Sequence, residues 1–361
     1  MFRKSAYTPV LHIIWYIGEC FFIYPQIPSF PACGNFGKEV FFHMTNSRKA
    51  AVIGCGNVGA SIAFTFMQKA LFSSLALIDA NRMKAEGEAM DLSHGLPYAS
   101  QMDIFPGTYD DLSDCAFAVI AAGVNQRPGE TRLELLGRNL VILRSILSEL
   151  SRTDFSGILL IVTNPVDILT YAARCFAPCA PYRVIGSGTV LDTARLKFLL
   201  SRRLSVDSRN VHAFIIGEHG DSELPVFSGA NVSGVDIAEF MRLSGHSARE
   251  LDEIFEDVRS SAYDVIERKG ATYYAIAMAA ARIAECIVRD EKTVLPVSVE
   301  LEGQYGLSGL ALSIPSVLGK DGVERILEIP LSQEEQRKLL LSADAIKRVI
   351  ENCGIGKSLY V

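Results

Sequence analysis

The residues able to do chemistry fall in a few short runs. Gly54-Cys55-Gly56-Asn57-Val58-Gly59 follows an apolar segment, residues 50–53, and leads into an amphipathic stretch, 60–70. A second apolar segment, 75–78, ends in Asp79. This order reads strand, glycine turn, helix, strand, acid. Gly54 permits a tight turn, Gly56 leaves the backbone open to a pyrophosphate, and Gly59 lets the helix pack closely on the sheet. The helix N-terminus presents unpaired N–H groups and the positive end of its dipole to the phosphates. Asp79 lies about twenty residues past Gly59, where a carboxylate accepts hydrogen bonds from the adenosine ribose. Its charge repels a 2′-phosphate, so the run points to NAD rather than NADP. A glycine triplet alone is a weak signal; the whole strand–turn–helix–strand–acid context carries the reading.

His219 stands in Gly217-Glu218-His219-Gly220-Asp221, directly after the apolar run 211–216. A lone histidine is more often a surface or satisfied core residue. In a chain with a hydride cofactor it has a second use. Hydride addition to a carbonyl leaves an alkoxide that must be protonated near neutral pH, and imidazole has the pKa for that. A carboxylate that fixes the tautomer improves such a histidine. Asp192 is a candidate, with a helix N-cap as its alternative reading. Arg195, one helical turn on, shares a face with Asp192. Its guanidinium suits a substrate carboxylate through paired hydrogen bonds, or else forms an ordinary surface ion pair. The loop from Gly123 to Arg132 mixes glycine, proline and charge. It has the composition of a lid whose arginine could polarise a carbonyl, or of a plain solvated loop.

The elements that would position these groups follow from the pattern. Strands are expected at 50–53, 75–78, 102–105, 115–122, 158–162 and 183–185, alternating with helices at 60–70, 81–95, 133–150 and 167–175. Strand–helix alternation of this kind specifies an open parallel sheet with right-handed crossovers. The fold class is therefore α/β, a Rossmann-type doubly wound sheet. Ligands then sit at the carboxyl ends of the strands, which directs attention to 123–132 and 163–167. From 187 on the pattern changes to a mixed α+β half. It has helices at 192–204, 248–269, 272–290 and 332–352, and strands at 211–216, 293–301 and 305–313. The expected division is 44–186 for NAD and 187–361 for substrate.

The 361 residues suffice for two domains. A net charge of −6 without a basic run argues against nucleic acid. Eight cysteines without a CxxC pair, and without a histidine near Cys175 and Cys179, suggest reduced core thiols of a cytoplasmic protein and no metal set. Residues 1–43 carry the single tryptophan and many aromatics. Their apolar stretch is too short and too polar to span a membrane. Met44 leads straight into the first strand, so 1–43 is expected to be an atypical, poorly ordered extension.

Taken together, Gly54–Gly59, 125–132, Val162-Thr163-Asn164-Pro165, 191–195 and 217–221 resemble the L-lactate/malate dehydrogenase family, over nearly all of the chain from Met44 to about residue 352. The resemblance implies NAD-dependent oxidoreduction of a small 2-hydroxy acid. It implies cofactor contacts from Gly54, Gly56, Asn57, Val58, Gly59, Asp79, Gly123 and Asn164. Arg132 would be the lid arginine and Asn164 would bond the substrate oxygen, with a cis bond to Pro165. Asp192 and His219 would form the proton relay, Arg195 would hold the carboxylate, and Thr272 would line the pocket. Within the family the residue before the basic-Pro-Gly of the lid reads the substrate side chain. Malate enzymes place arginine there, against a second carboxylate. Gln126 is neutral, so pyruvate and L-lactate are expected, with malate or another 2-hydroxy acid as the alternative and a non-catalytic NAD-binding protein as a further one. The resemblance also implies a homotetramer. Fructose 1,6-bisphosphate is a possible activator, with Lys197 and His212 at the positions of its basic ligands.

Overall fold

The computed structural model describes residues 46–124 and 132–355, with side chains from 49 on and from 133 on. The expected extension 1–43 lies outside the described residues. So does the lid from Asn125 to Thr131, including Gln126, and so does the side chain of Arg132.

The first half is a doubly wound sheet. β1 (Asn46–Ile53), α1 (Asn57–Lys69), β2 (Ser74–Ile78), α2 (Arg82–Gly95), β3 (Asp103–Pro106), β4 (Cys115–Ile120), α3 (Arg132–Leu150), β5 (Ile158–Ile161), α4 (Val166–Phe176) and β6 (Val184–Gly186) alternate as expected. The parallel order is β6-β5-β4-β1-β2-β3. The order reverses between β1 and β4, which opens the crevice at the strands' carboxyl ends. Both faces of this sheet are covered, so its central strands carry unbroken apolar runs. Residues 50–53, 117–120 and 158–161 are all buried. Phe66 of α1 packs on Phe72 and Phe117 with ring centroids 5.1 and 6.3 Å apart, which fixes the helix on the sheet.

The second half adds α5 (Val190–Leu204), β7 (Val211–His212), β8 (Ile215–Ile216), β9 (Leu224–Pro225), β10 (Asn231–Val232), β11 (Val235–Asp236), α6 (Ile237–Leu243), α7 (Glu250–Lys269), α8 (Tyr274–Val288), β12 (Thr293–Glu302), β13 (Ser308–Gly319), β14 (Gly322–Ile326) and α9 (Gln333–Asn352). Its long strands do not build a separate sheet. β12 pairs antiparallel with β6 at Ser298 and Gly186, and β13 and β14 extend the same sheet to nine strands. Gly186 permits that junction: a Cβ there would lie 2.7 Å from Ser298 Cβ.

Three expectations change. The run 211–216 is two short strands in different sheets, β7 beside β10 and β8 beside β9. An uninterrupted apolar run cannot show that break. The strand expected at 305–313 runs over 308–319 and turns through Lys320-Asp321-Gly322 into β14, a hairpin signalled by Asp-Gly. Thr272 precedes α8 rather than lying within it, because α7 ends in a left-handed Gly270 (φ 83°) and the chain stays irregular until Tyr274.

Candidate active site

The glycine turn is built as its spacing requires. Gly54 has φ 98°, and a Cβ there would sit 2.4 Å from the Ala122 backbone nitrogen. A Cβ on Gly59 would meet the Gly54 carbonyl oxygen at 1.8 Å. Gly56 differs: a Cβ there would meet nothing within 4 Å. The space before the α1 N-terminus is therefore open, as a pyrophosphate needs. Asn57 and Val58 form the first turn of α1. Asp79 ends β2, where Oδ2 accepts from Cys55 N at 2.7 Å and Oδ1 from Asn81 N at 2.8 Å. Those bonds hold the carboxylate beside the turn and leave lone pairs for hydroxyl donors.

Gly123 and Asn164 follow the neighbouring strands β4 and β5. One buried side chain joins them. Asn139 of α3 accepts from Val124 N through Oδ1 and donates from Nδ2 to Asn164 O, each at 2.9 Å. The Asn164–Pro165 bond is cis. Asn139 was not foreseeable as a site residue; its one signal is an amide on the apolar face of a helix.

The second cluster forms where α5 meets the segment after β8. Ile215 N donates to Thr193 Oγ1 at 2.9 Å, and Thr189 Oγ1 donates to Ile215 O at 2.5 Å. These two bonds set α5 against β8 and bring Asp192 to His219. His219 Nδ1 lies 2.6 Å from Asp192 Oδ2, and Arg195 Nη1 donates to Asp192 Oδ1 at 2.8 Å. The N-cap of α5 is Thr189, so Asp192 is not the cap; its buried carboxylate takes the histidine instead. Arg195 has a side chain 15% exposed, so the ordinary surface-pair reading fails.

The histidine segment is clamped on three sides. Gly217 exchanges both backbone bonds with Ser313 of β13, at 2.9 and 3.0 Å. Glu218 N donates to Ser342 Oγ of α9 at 2.9 Å. His219 N donates to Asp167 Oδ2 of α4 at 2.7 Å, and Ser298 Oγ donates to Asp167 Oδ1 at 2.6 Å. Sequence reading placed Asp167 only at a helix start. Burial pushes its carboxyl up to about 6, against the pull of those donors. Burial lowers the proton affinity of His219, but the Asp192 carboxylate outweighs it and raises the pKa to about 9. The imidazole is therefore poised as a proton donor at neutral pH, while its ring keeps 24% exposure toward a reactant.

Thr272 is half-buried in the link between α7 and α8. Lys197 lies on α5, its pKa lowered by burial. His212 is exposed on β7 and lines a cavity of about 520 Å³ with Phe214, Ser228 and Asn231, a wall separate from the Asp192–His219 cluster. Cys55, Cys115 and Cys286 are buried, whereas Cys175 is exposed and so departs from a core thiol. Among the described residues no helix is long and apolar enough to cross a membrane.

Residues 48–186 match the model of the lactate/malate dehydrogenase NAD-binding domain, and residues 189–354 match that of the lactate/malate dehydrogenase α/β C-terminal domain. The chain belongs to the lactate/malate dehydrogenase family. It is 48% identical to an L-lactate dehydrogenase of Thermoanaerobacter over 309 residues, 85% of this chain and 99% of that protein. Against an L-lactate dehydrogenase of Priestia megaterium it is 47% identical over 303 residues, 84% and 95% of the two chains. A lactate dehydrogenase from a Medee basin deep-sea metagenome superposes with a TM-score of 0.83 at 42% identity, covering 85% of this chain and 99% of that one. The ligand-bound minor L-lactate dehydrogenase of Enterococcus mundtii gives 0.83 at 38% identity, covering 85% and 98%. As a member of this family the chain uses NAD, and the turn at Gly54–Gly59 fits that cofactor.

The two inner glycines separate fold from cofactor binding. Gly56→Ala should leave the melting temperature unchanged but weaken NADH binding at least tenfold by fluorescence titration. Gly59→Ala, with its Cβ against a backbone oxygen, should lower both.

Proposed function

We propose that this chain is an L-lactate dehydrogenase, interconverting pyruvate and L-lactate with NADH and NAD⁺. The observation that carries the reading is the buried Asp192 carboxylate shared between His219 Nδ1 and Arg195 Nη1. It sets a proton donor and a guanidinium side by side. NADH bound over the glycine turn supplies the hydride. Asp192 holds the imidazole in one tautomer, and His219 gives its proton to the carbonyl oxygen that becomes the hydroxyl. Arg195 spends one N–H on Asp192 and keeps the rest of its fork for the substrate carboxylate. Arg132 polarises the carbonyl when the lid closes, Asn164 bonds the substrate oxygen, and Thr272 lines the pocket. Cofactor contacts come from Gly54, Gly56, Asn57, Val58, Gly59, Asp79, Gly123 and Asn164.

Gln126 decides the substrate. A second carboxylate closed beside a neutral amide would be left unpaired, at a cost of several kcal/mol, roughly. Residues 44–186 form the NAD-binding domain and 187–361 the substrate and catalytic domain. The same reading gives a homotetramer working in the cytoplasm. It also gives fructose 1,6-bisphosphate as activator, with Lys197 and His212 as its basic ligands; a half-buried lysine ammonium is a ready partner for a phosphate.

A spectrophotometric assay tests the reading: NADH oxidation with pyruvate should exceed that with oxaloacetate, and Gln126→Arg should reverse the order by at least a hundredfold in kcat/KM. Preference of the unmodified enzyme for oxaloacetate overturns it. The pH dependence follows from His219. Its raised pKa keeps the proton on below about 9, so pyruvate reduction should hold there and fall above, while lactate oxidation should rise. Asp192→Asn should move that limb to lower pH, and His219→Gln should lose turnover while keeping NADH binding. Rates titrated with fructose 1,6-bisphosphate should rise, and Lys197→Ala should abolish the rise.

A further inference from the structure

Glu223 plays no part in the mechanism above, yet it stands in the middle of it. The chain turns back after His219, with Glu223 N donating to Gly220 O at 3.3 Å, and enters β9 at Leu224. That turn points the Glu223 side chain inward, and the residue is 8% exposed. Asp192, His219 and Glu223 each bring a polar atom within 4.8 Å of the other two, and Asp192 is 2% exposed. A carboxyl oxygen of Asp192 and one of Glu223 lie within 4.8 Å of each other. Two carboxyls this close, both out of water, cannot both ionise without severe repulsion.

The nearby charges decide which of them keeps the proton. Asp192 has the imidazole on one oxygen and the Arg195 guanidinium on the other, so its anion is doubly supported. Among the described residues no cation is bonded to Glu223 in this way; burial first, and then the Asp192 charge, push its carboxyl up to about 9. His219 and Arg195 pull in the opposite direction and are outweighed. Asp167, on α4, faces the other side of the histidine through the backbone. Cations are already present in the cluster as Arg195 and His219.

We propose that Glu223 is held as a neutral carboxylic acid whose hydroxyl donates to the Asp192 carboxylate, making it a positioning residue for the His219–Asp192 pair. Asp192 would then accept three donors, from His219, Arg195 and Glu223. The third donor orients the carboxylate without adding a second negative charge beside the imidazole. Of the two carboxyls, Asp192 alone then carries negative charge at neutral pH. A neutral acid also tempers the basicity of Asp192, because hydrogen bonding to the charged form stabilises it.

The inference rests on the proton relay proposed for His219, but its first test needs no turnover. Infrared spectra of the full-length wild-type protein at neutral pH should contain a protonated carboxylic C=O stretch that is absent from Glu223→Gln. Its absence from the wild type overturns the proposal whatever the activity. The second test uses kcat/KM for pyruvate against pH. Glu223→Gln keeps a donor of similar shape and should match the wild type's alkaline limb within a few tenths of a unit. Glu223→Met fills the space without a donor; it should lose about tenfold in kcat and move the limb upward, with NADH binding unchanged. A limb that falls by about one unit in Glu223→Gln would mean an ionised glutamate, and equal behaviour of the Gln and Met variants would mean a space-filler. Either result overturns the proposal. Should Glu223→Met fail to fold, the infrared band and the Gln variant still decide.

Discussion

The site depends on one hydrogen bond, between His219 Nδ1 and Asp192 Oδ2, made where little water reaches the carboxylate. A buried anion is costly unless it is paired and bonded on every side. Asp192 meets that condition with an imidazole on one oxygen and a guanidinium on the other. The same arrangement raises the proton affinity of the histidine and aims the arginine at the space beside it. In the proposed reaction, proton supply and carboxylate recognition are thus two consequences of satisfying one buried charge.

Much of the surrounding architecture holds that bond in place. Thr189 and Thr193 fasten the start of α5 to Ile215. Ser313, Asp167 and Ser342 take the backbone of the next segment from three different elements. The polar residues that do this are small and deeply buried, and each has its partner. The held backbone fixes where the side chain leaves the chain and the Asp192 bond fixes the ring, so the imidazole is positioned before any reactant arrives.

The cofactor side relies on the opposite strategy, which is removal of atoms. Gly54 and Gly59 are required because backbone from β4 and from the turn itself occupies the space a side chain would take. At Gly56 the protein itself leaves that space open. Asn139 then links the ends of β4 and β5, and the bridge between Gly217 and Ser313 ties the histidine segment to the same nine-stranded sheet. β12 and β13 carry that sheet into the second half, supplying Ser298, which donates to Asp167, and Ser313, which pairs with Gly217.

The residue order alone determined the alternating first half and the glycine turn followed by Asp79, and it singled out His219, Asp192 and Arg195 as candidates. These are local signals: apolar runs of strand length, glycine spacing, and polar groups at strand ends. Packing alone decided that Asp192 faces the histidine rather than capping its helix, because a carboxylate in the first turn is suited to both. It also decided that residues 211–216 break between two sheets, since an apolar run looks the same whether or not its partners change. Asp167, Asn139 and Glu223 became legible only in three dimensions. Each acts through groups distant in sequence or through burial, and neither long-range contact nor desolvation leaves a local pattern in the chain.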